Sequence, residues 1–196
     1  VKGPVIRVEP SLIEYHENAV DREFTVSVKI INVTDLYGLD IRFRWNTTAL
    51  EHVSHTVLVP INTYSEGVLY DPTLSLINTV NTTLGTYRLA CSSMLPAPSF
   101  NGTGTVFTIA FRVKHHPVEP EPTANLELEL FSTDLVAKDG TPILHSREHG
   151  IVTLYQVLSE SGNQLSGTIP YIVAGVVAVA IILTAVYVIK IRKRKG

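Results

Sequence analysis

The chain has seven histidines, and they are the first residues to test for chemistry. His52 and His55 lie three apart on a stretch that reads as a strand. Alternation would point them to opposite faces, so the expectation is that they cannot share one metal ion. His115-His116 opens a loop. His145 and His149 bracket Ser146-Arg147-Glu148 and would meet only across a turn. No His-Glu-x-x-His pair occurs, and no third ligand stands at a zinc-like spacing. Gly-x-Ser-x-Gly, a phosphate loop and a dinucleotide fingerprint are also missing, so no catalytic residue is assigned and the chain is not read as an enzyme. Glu127 and Glu129 share the outer side of a strand, where solvated carboxylates are ordinary. Asp134 and Asp139 could offer oxygens to calcium, but two carboxylates outside a known loop pattern do not define a site. No cofactor is expected, with calcium the one ion left to consider.

Recognition is a better use of these side chains than catalysis. Asp40, Arg42 and Arg44 leave one side of a strand whose other side is Ile41, Phe43 and Trp45. Alternating charge on a rigid strand can select a protein partner by complementarity. A polysaccharide is the runner-up ligand, and it would need coplanar exposed rings. Tyr37, Tyr64, Tyr70 and Tyr87 are the candidates, since alternation places Trp45 on the apolar side. A structural role in the cell envelope, as an adhesin or surface stalk, is a third reading. Four Asn-x-Thr tripeptides, at Asn32, Asn46, Asn81 and Asn101, fit the N-glycosylation acceptor pattern.

These residues need strands to position them, and the pattern before residue 156 is β throughout. Val, Ile, Thr, Phe and Tyr alternate with polar residues between turn clusters. Strands are predicted at Val5–Val8, Phe24–Ile30, Leu39–Trp45, Glu51–Val59, Val68–Leu69, Leu74–Val80, Thr86–Ser92, Thr105–Val113, Ala124–Phe131 and Ile151–Tyr155. Asn32-Val33-Thr34-Asp35 reads as a turn, as does Asp139-Gly140. The two prolines of Leu95–Gly102 lack donors and should stop a ladder there. Strands at this spacing, without helices, predict an all-β two-sheet sandwich. The single cysteine, Cys91, sits in an apolar run and reads as a small buried hydrophobe.

Residues 169–189 form 21 consecutive positions without a charged side chain. As a helix they would just cross the roughly 30 Å hydrocarbon core of a bilayer. Five of the seven residues after them are Lys or Arg. Basic flanks stay on the cytoplasmic side, which puts the tail inside and the β-domain outside the cell. The expected organisation is a β-domain over 1–155, a flexible stalk over 156–168, a transmembrane helix over 169–189 and a basic cytoplasmic tail over 190–196. The chain begins with Val1, so a signal segment is expected to have been removed. Residues 1–168 carry 11 Lys and Arg against 18 Asp and Glu, a balance of −7, which argues against nucleic acid as a partner.

Three stretches resemble the cohesin domain family. Phe24–Ile30 followed by Asn32–Ile41 and Trp45–Glu51 is similar to the start of such a domain. Gly102–Lys114 resembles the family's Gly-rich turn and long inner strand, and Leu135–Ile143 its penultimate hairpin. The matches run in order over roughly residues 5–155. The resemblance implies a jelly-roll β-sandwich of about nine strands, a fold shared with some carbohydrate-binding modules. It also implies a non-catalytic role, because cohesins hold a calcium-loaded dockerin on one sheet face. Asp40 occupies the place of a dockerin-contacting Asp in the family.

Overall fold

β-branched and aromatic residues alternating with polar ones build ten strands within residues 3–158, the part of the chain that the computed structural model describes. They are β1 (Val5–Glu9), β2 (Leu12–Tyr15), β3 (Glu23–Arg44), β4 (Leu50–Val57), β5 (Thr73–Asn81), β6 (Thr86–Ser93), β7 (Phe100–Val113), β8 (Ala124–Ala137), β9 (Ser146–Glu148) and β10 (Gly150–Leu154). Among the described residues no helix is long and apolar enough to cross a membrane. The expected span at 169–189 and tail at 190–196 lie outside the described residues, as does the stalk beyond Leu158.

The 22-residue β3 organises the sandwich. Its first half pairs with β1 on one side and β7 on the other, and β4 pairs with the far edge of β7. Its second half pairs with β6 and β8, and β5 lies beyond β6. One strand thus serves two layers. The sequence predicts two strands here with a turn at Asn32–Asp35, and the structure corrects that. The register against β7 shifts between Ile30 and Val33 and again between Val33 and Leu36. Asn32 and Asp35 take positive φ, 54° and 60°, a region that Asn and Asp tolerate better than most residues. Turn-forming residues therefore act as bulges that bend β3 from one layer to the other.

The apolar side of each half faces the other layer. Val26, Val28 and Ile30 from the first half and Leu39, Ile41 and Phe43 from the second are buried. Aromatic rings close the core between layers: Phe43 stacks on Phe111 with centroids 6.3 Å apart, and Tyr87 meets Phe107 edge-on at 4.9 Å. Trp45 and Cys91 are buried, as alternation and composition predict.

Several boundaries differ from the predicted ones. β2 and β9 are additional short strands, paired in parallel with β10 and β1. β7 begins at Phe100 and β8 runs on to Ala137. Val68–Leu69 is fully buried but is a loop. Gly67 enters it so close to Leu58 that an added Cβ would stand 2.0 Å from the Leu58 carbonyl oxygen. A further correction concerns β4, whose register against β7 shifts between His52 and Ser54. The extra residue, Val53, turns the rest of the strand over, and His52 and His55 emerge on the same side.

Candidate functional site

The outer face of β8-β3-β6-β5 carries the candidate residues Asp40, Arg42 and Arg44, and cross-strand register decides their neighbours. Asp40 stands between Ala90 of β6 and Asp134 of β8. Arg42 stands between Arg88 and Ser132, and Arg44 between Thr86 and Glu129. β5 extends these rows with Ile77, Thr79 and Asn81. Asp40, Arg42 and Arg44 therefore do share one face.

Their polar partners differ. Arg88 binds Asp40 through two parallel hydrogen bonds, Nη2 to Oδ2 at 2.6 Å and Nε to Oδ1 at 3.1 Å, a planar fork-to-carboxylate fit. The carboxylate holds the Arg88 pKa above its ordinary value, chiefly by hydrogen bonding. Arg44 pairs with Glu129 of β8, and its guanidinium carbon lies 5.6 Å from the Phe131 ring centroid. Arg42 is less well served. Its Nε is buried without a hydrogen-bond partner, with Asp40 Oδ1 3.9 Å away. A guanidinium N–H in that state is a standing demand for an acceptor.

One end of the face is apolar. A shallow groove of about 340 Å³ runs over Gly38, Ala90, Leu76, Ile77 and Val136, rimmed by Asp40, Arg88 and Asp134. Leu76 on the edge strand β5 is 63% exposed and Leu74 is 45% exposed. A side chain at position 38 would meet Ser92 Oγ at 3.3 Å, so Gly38 helps keep the groove floor open. Sequence reasoning missed Arg88 and the groove altogether. Both arise from β3–β6 pairing across 48 positions of chain, which no local pattern reports.

The other candidates are placed as follows. Asn32, Asn46, Asn81 and Asn101 are all exposed. Asn46 Oδ1 accepts from Thr48 N–H, Asn81 Oδ1 accepts from Thr83 and Leu84 N–H, and Asn101 Oδ1 accepts from Asp35 N–H. Asn81 ends β5 in the row of Arg44. The four tyrosines do not make a platform: Tyr87 is in the core, Tyr70 backs onto Phe100, Tyr37 is half-buried beside Lys138, and only Tyr64 of the four is exposed. Asp139 is engaged by Thr141, whose hydroxyl and N–H hold the carboxyl below its ordinary range, while Asp134 lies on the β8 face. Among the described residues no group of three or more His, Cys, Asp or Glu could hold a metal ion.

The histidines separate into structural contacts and one pair. His116 is buried, accepting from Ala19 N–H and donating to the Tyr155 carbonyl. His145 bonds Thr133 and the Ile143 carbonyl, and His149 accepts from Leu130 N–H, so these two are held by different partners. His52 and His55 come together, with His55 Nδ1 3.3 Å from His52 Nε2. Burial, and secondarily the neighbouring His55, push the His52 pKa down, while a hydrogen bond to its own backbone works the other way.

Comparison with known proteins follows the same lines. A family model described as Cohesin domain matches residues 12–124, more than half of the chain. Among solved structures, the chain is similar to a non-cellulosomal cohesin from the hyperthermophilic archaeon Archaeoglobus fulgidus, at 15% identity and a TM-score of 0.56, covering 85% of this chain and 99% of that one. It is also similar to a structure described as a type I cohesin–dockerin complex from Clostridium thermocellum, at 10% identity and a TM-score of 0.60, over 80% and 96% of the two chains. A third is the sixth cohesin of scaffoldin B from Acetivibrio cellulolyticus, solved with a mutant Cel5 dockerin, at 15% identity and a TM-score of 0.57, over 77% and 98%. At these identities the likeness is one of fold. No curated protein matches the chain significantly.

Proposed function

The chain belongs to the cohesin domain family, and from that premise we propose that it is a non-catalytic module that docks a dockerin-like protein on the outer face of β8-β3-β6-β5 at the cell surface. The observation that carries the reading is the pairing of an apolar groove with an under-served arginine. Arg42 Nε is buried and lacks an acceptor, and the groove exposes Leu76 beside the Asp40–Arg88 pair. A partner that lays an apolar surface in the groove and brings a carboxylate to the outer end of the Arg42 guanidinium, whose side chain is 41% exposed, would engage both at once. Asp40 then serves by holding Arg88 in place, and Arg44 marks the far end of the footprint.

We further propose that residues 169–189 anchor the module in a membrane, with the β-domain outside and the basic tail in the cytoplasm. Support comes from the uncharged 21-residue run and the five Lys and Arg that follow it. The same orientation would expose Asn32, Asn46, Asn81 and Asn101 to glycosylation, and the mass before and after deglycosylation reads their occupancy directly.

Capture with the full chain in detergent, using a panel of dockerin-bearing proteins, tests the docking function. Binding that is lost in the Asp40→Ala/Arg42→Ala double variant supports it. Binding indifferent to that double change places the partner elsewhere.

A further inference from the structure

The bulge in β4 creates an arrangement that docking does not use. His55 Nε2 lies 3.1 Å from Asn78 Oδ1, an oxygen that also accepts the Tyr87 hydroxyl proton at 2.9 Å. Since that oxygen can only accept, His55 carries its proton on Nε2 and turns the Nδ1 lone pair toward His52 Nε2. The two nitrogens are 3.3 Å apart. Two imidazole nitrogens bound to one tetrahedral zinc ion at about 2.0–2.1 Å are separated by roughly 3.3 Å. The spacing therefore matches a chelating pair as well as a hydrogen bond.

Second contacts support chelation. A metal-bound imidazole ordinarily donates its other N–H to an oxygen, which fixes its tautomer and ring plane. Asn78 does this for His55, and Asn78 is in turn fixed by Tyr87, a side chain only 1% exposed. His52 is held on its other side by Trp45, with ring centroids 6.0 Å apart and planes 30° from parallel. His55 packs against Tyr87 at 4.8 Å. Both histidines are half-buried, so the rings are fixed but open to an ion from solvent. Asn78 belongs to β5 and the histidines to β4, which are outer strands of the two layers.

We propose that His55 Nδ1 and His52 Nε2 form a two-histidine site for a borderline divalent transition metal ion of the zinc, copper or nickel class, with water in the remaining positions and Asn78 orienting His55. Imidazole ligands select that class over calcium and magnesium, which take oxygen. On binding, the proton shared between the rings leaves His52 Nε2, and His52 becomes its Nδ1–H tautomer, so charge and proton count balance. The site is separate from the docking face, because β5 turns Asn78 inward and Thr79 outward.

The single tryptophan gives the test its specificity. Trp45 stacks on His52, so nickel or copper bound there quenches its fluorescence. Titrating the full chain in detergent with nickel chloride should give saturable quenching at one equivalent, reversed by excess zinc. Asn78→Ala should weaken binding about 10–100-fold. His55→Ala, which leaves the Trp45–His52 contact in place, should abolish it. Quenching that survives His55→Ala, or no saturable quenching in the unaltered chain, overturns the proposal. Where a variant does not fold, the imidazole nitrogen resonances of the unaltered chain decide. Zinc should shift His55 Nδ1 and His52 Nε2 ahead of the other five histidines, and shifts confined to those five would refute the site.

Discussion

Phe43 and Arg44 are adjacent, and the sandwich makes them responsible for different properties. Phe43 is fully buried, with ring centroids 6.3 Å from Phe111 and 6.4 Å from both Phe107 and Trp45. Arg44 leaves the opposite side of the same strand, with its side chain 57% exposed. Truncating a ring packed on three others leaves a cavity that rigid strands on both layers cannot close, so Phe43→Ala should cost about 3–5 kcal/mol. For a domain of this size each kcal/mol lowers the melting temperature by about 2–4 °C, which predicts a fall of roughly 6–20 °C. Arg44→Ala removes an exposed ion pair and should change stability by less than about 1 kcal/mol. Urea denaturation followed by Trp45 emission reads both, and the midpoint should fall for Phe43→Ala without a change in slope. Equal effects of the two substitutions, or a Phe43→Ala midpoint within error of the parent, would refute the assignment of inner and outer faces.

Three other outcomes follow from single groups. Burial pushes the Cys91 thiol up to about 12, so a thiol reagent at pH 8 should label Cys91 only when the chain is unfolded. Labelling of the native chain at the rate of a free thiol contradicts its placement. Gly67→Ala would put a methyl 2.0 Å from the Leu58 carbonyl oxygen and 2.9 Å from that of Tyr64. Backbone atoms must move to admit it, so destabilisation of about 1–3 kcal/mol or more is expected from the same urea titration. The hydrogen bond from Lys29, at 2.7 Å, holds the Glu9 carboxyl below its ordinary value against the opposing effect of burial. Its folded pKa is thus depressed, so its stabilisation is present above the unfolded value near 4.5 and is lost as pH falls through the folded one. Between pH 5 and 3 the unfolding midpoint of Glu9→Gln should fall less than that of the parent, and parallel curves would exclude the contribution.

Local pattern made much of this fold legible. Phe24–Ile30 and Leu39–Trp45 alternate so regularly that both the strands and their buried sides could be read, and Trp45 and Cys91 lie where composition put them. The errors share a cause, which is that irregularity is decided by pairing rather than by propensity. Asn32-Val33-Thr34-Asp35 has the composition of a turn, yet hydrogen bonds from Asn32 N–H to Thr103 Oγ1 and from Asp35 N–H to Asn101 Oδ1 hold it as bulges inside one strand. Simple alternation puts His52 and His55 on opposite faces, and one inserted residue, Val53, reverses that. β9, Ser-Arg-Glu, has no apolar signal and exists through its ladder with β1. That Asp40, Arg42 and Arg44 share one face is legible because they alternate along one strand. Arg88 joins them only through the β3–β6 register, which no local pattern reports.

We propose the β8-β3-β6-β5 face as the place where a partner docks. Calorimetric titration of the full chain with a dockerin-type partner obtained by capture tests it most directly, comparing the parent with Arg42→Ala and with Leu76→Asp. Arg42→Ala removes the under-served guanidinium, and Leu76→Asp sets a charge on the exposed rim of the groove. Each should weaken binding at least tenfold while leaving the thermal midpoint within a few degrees of the parent. Unchanged affinity in both variants would place the docking surface elsewhere.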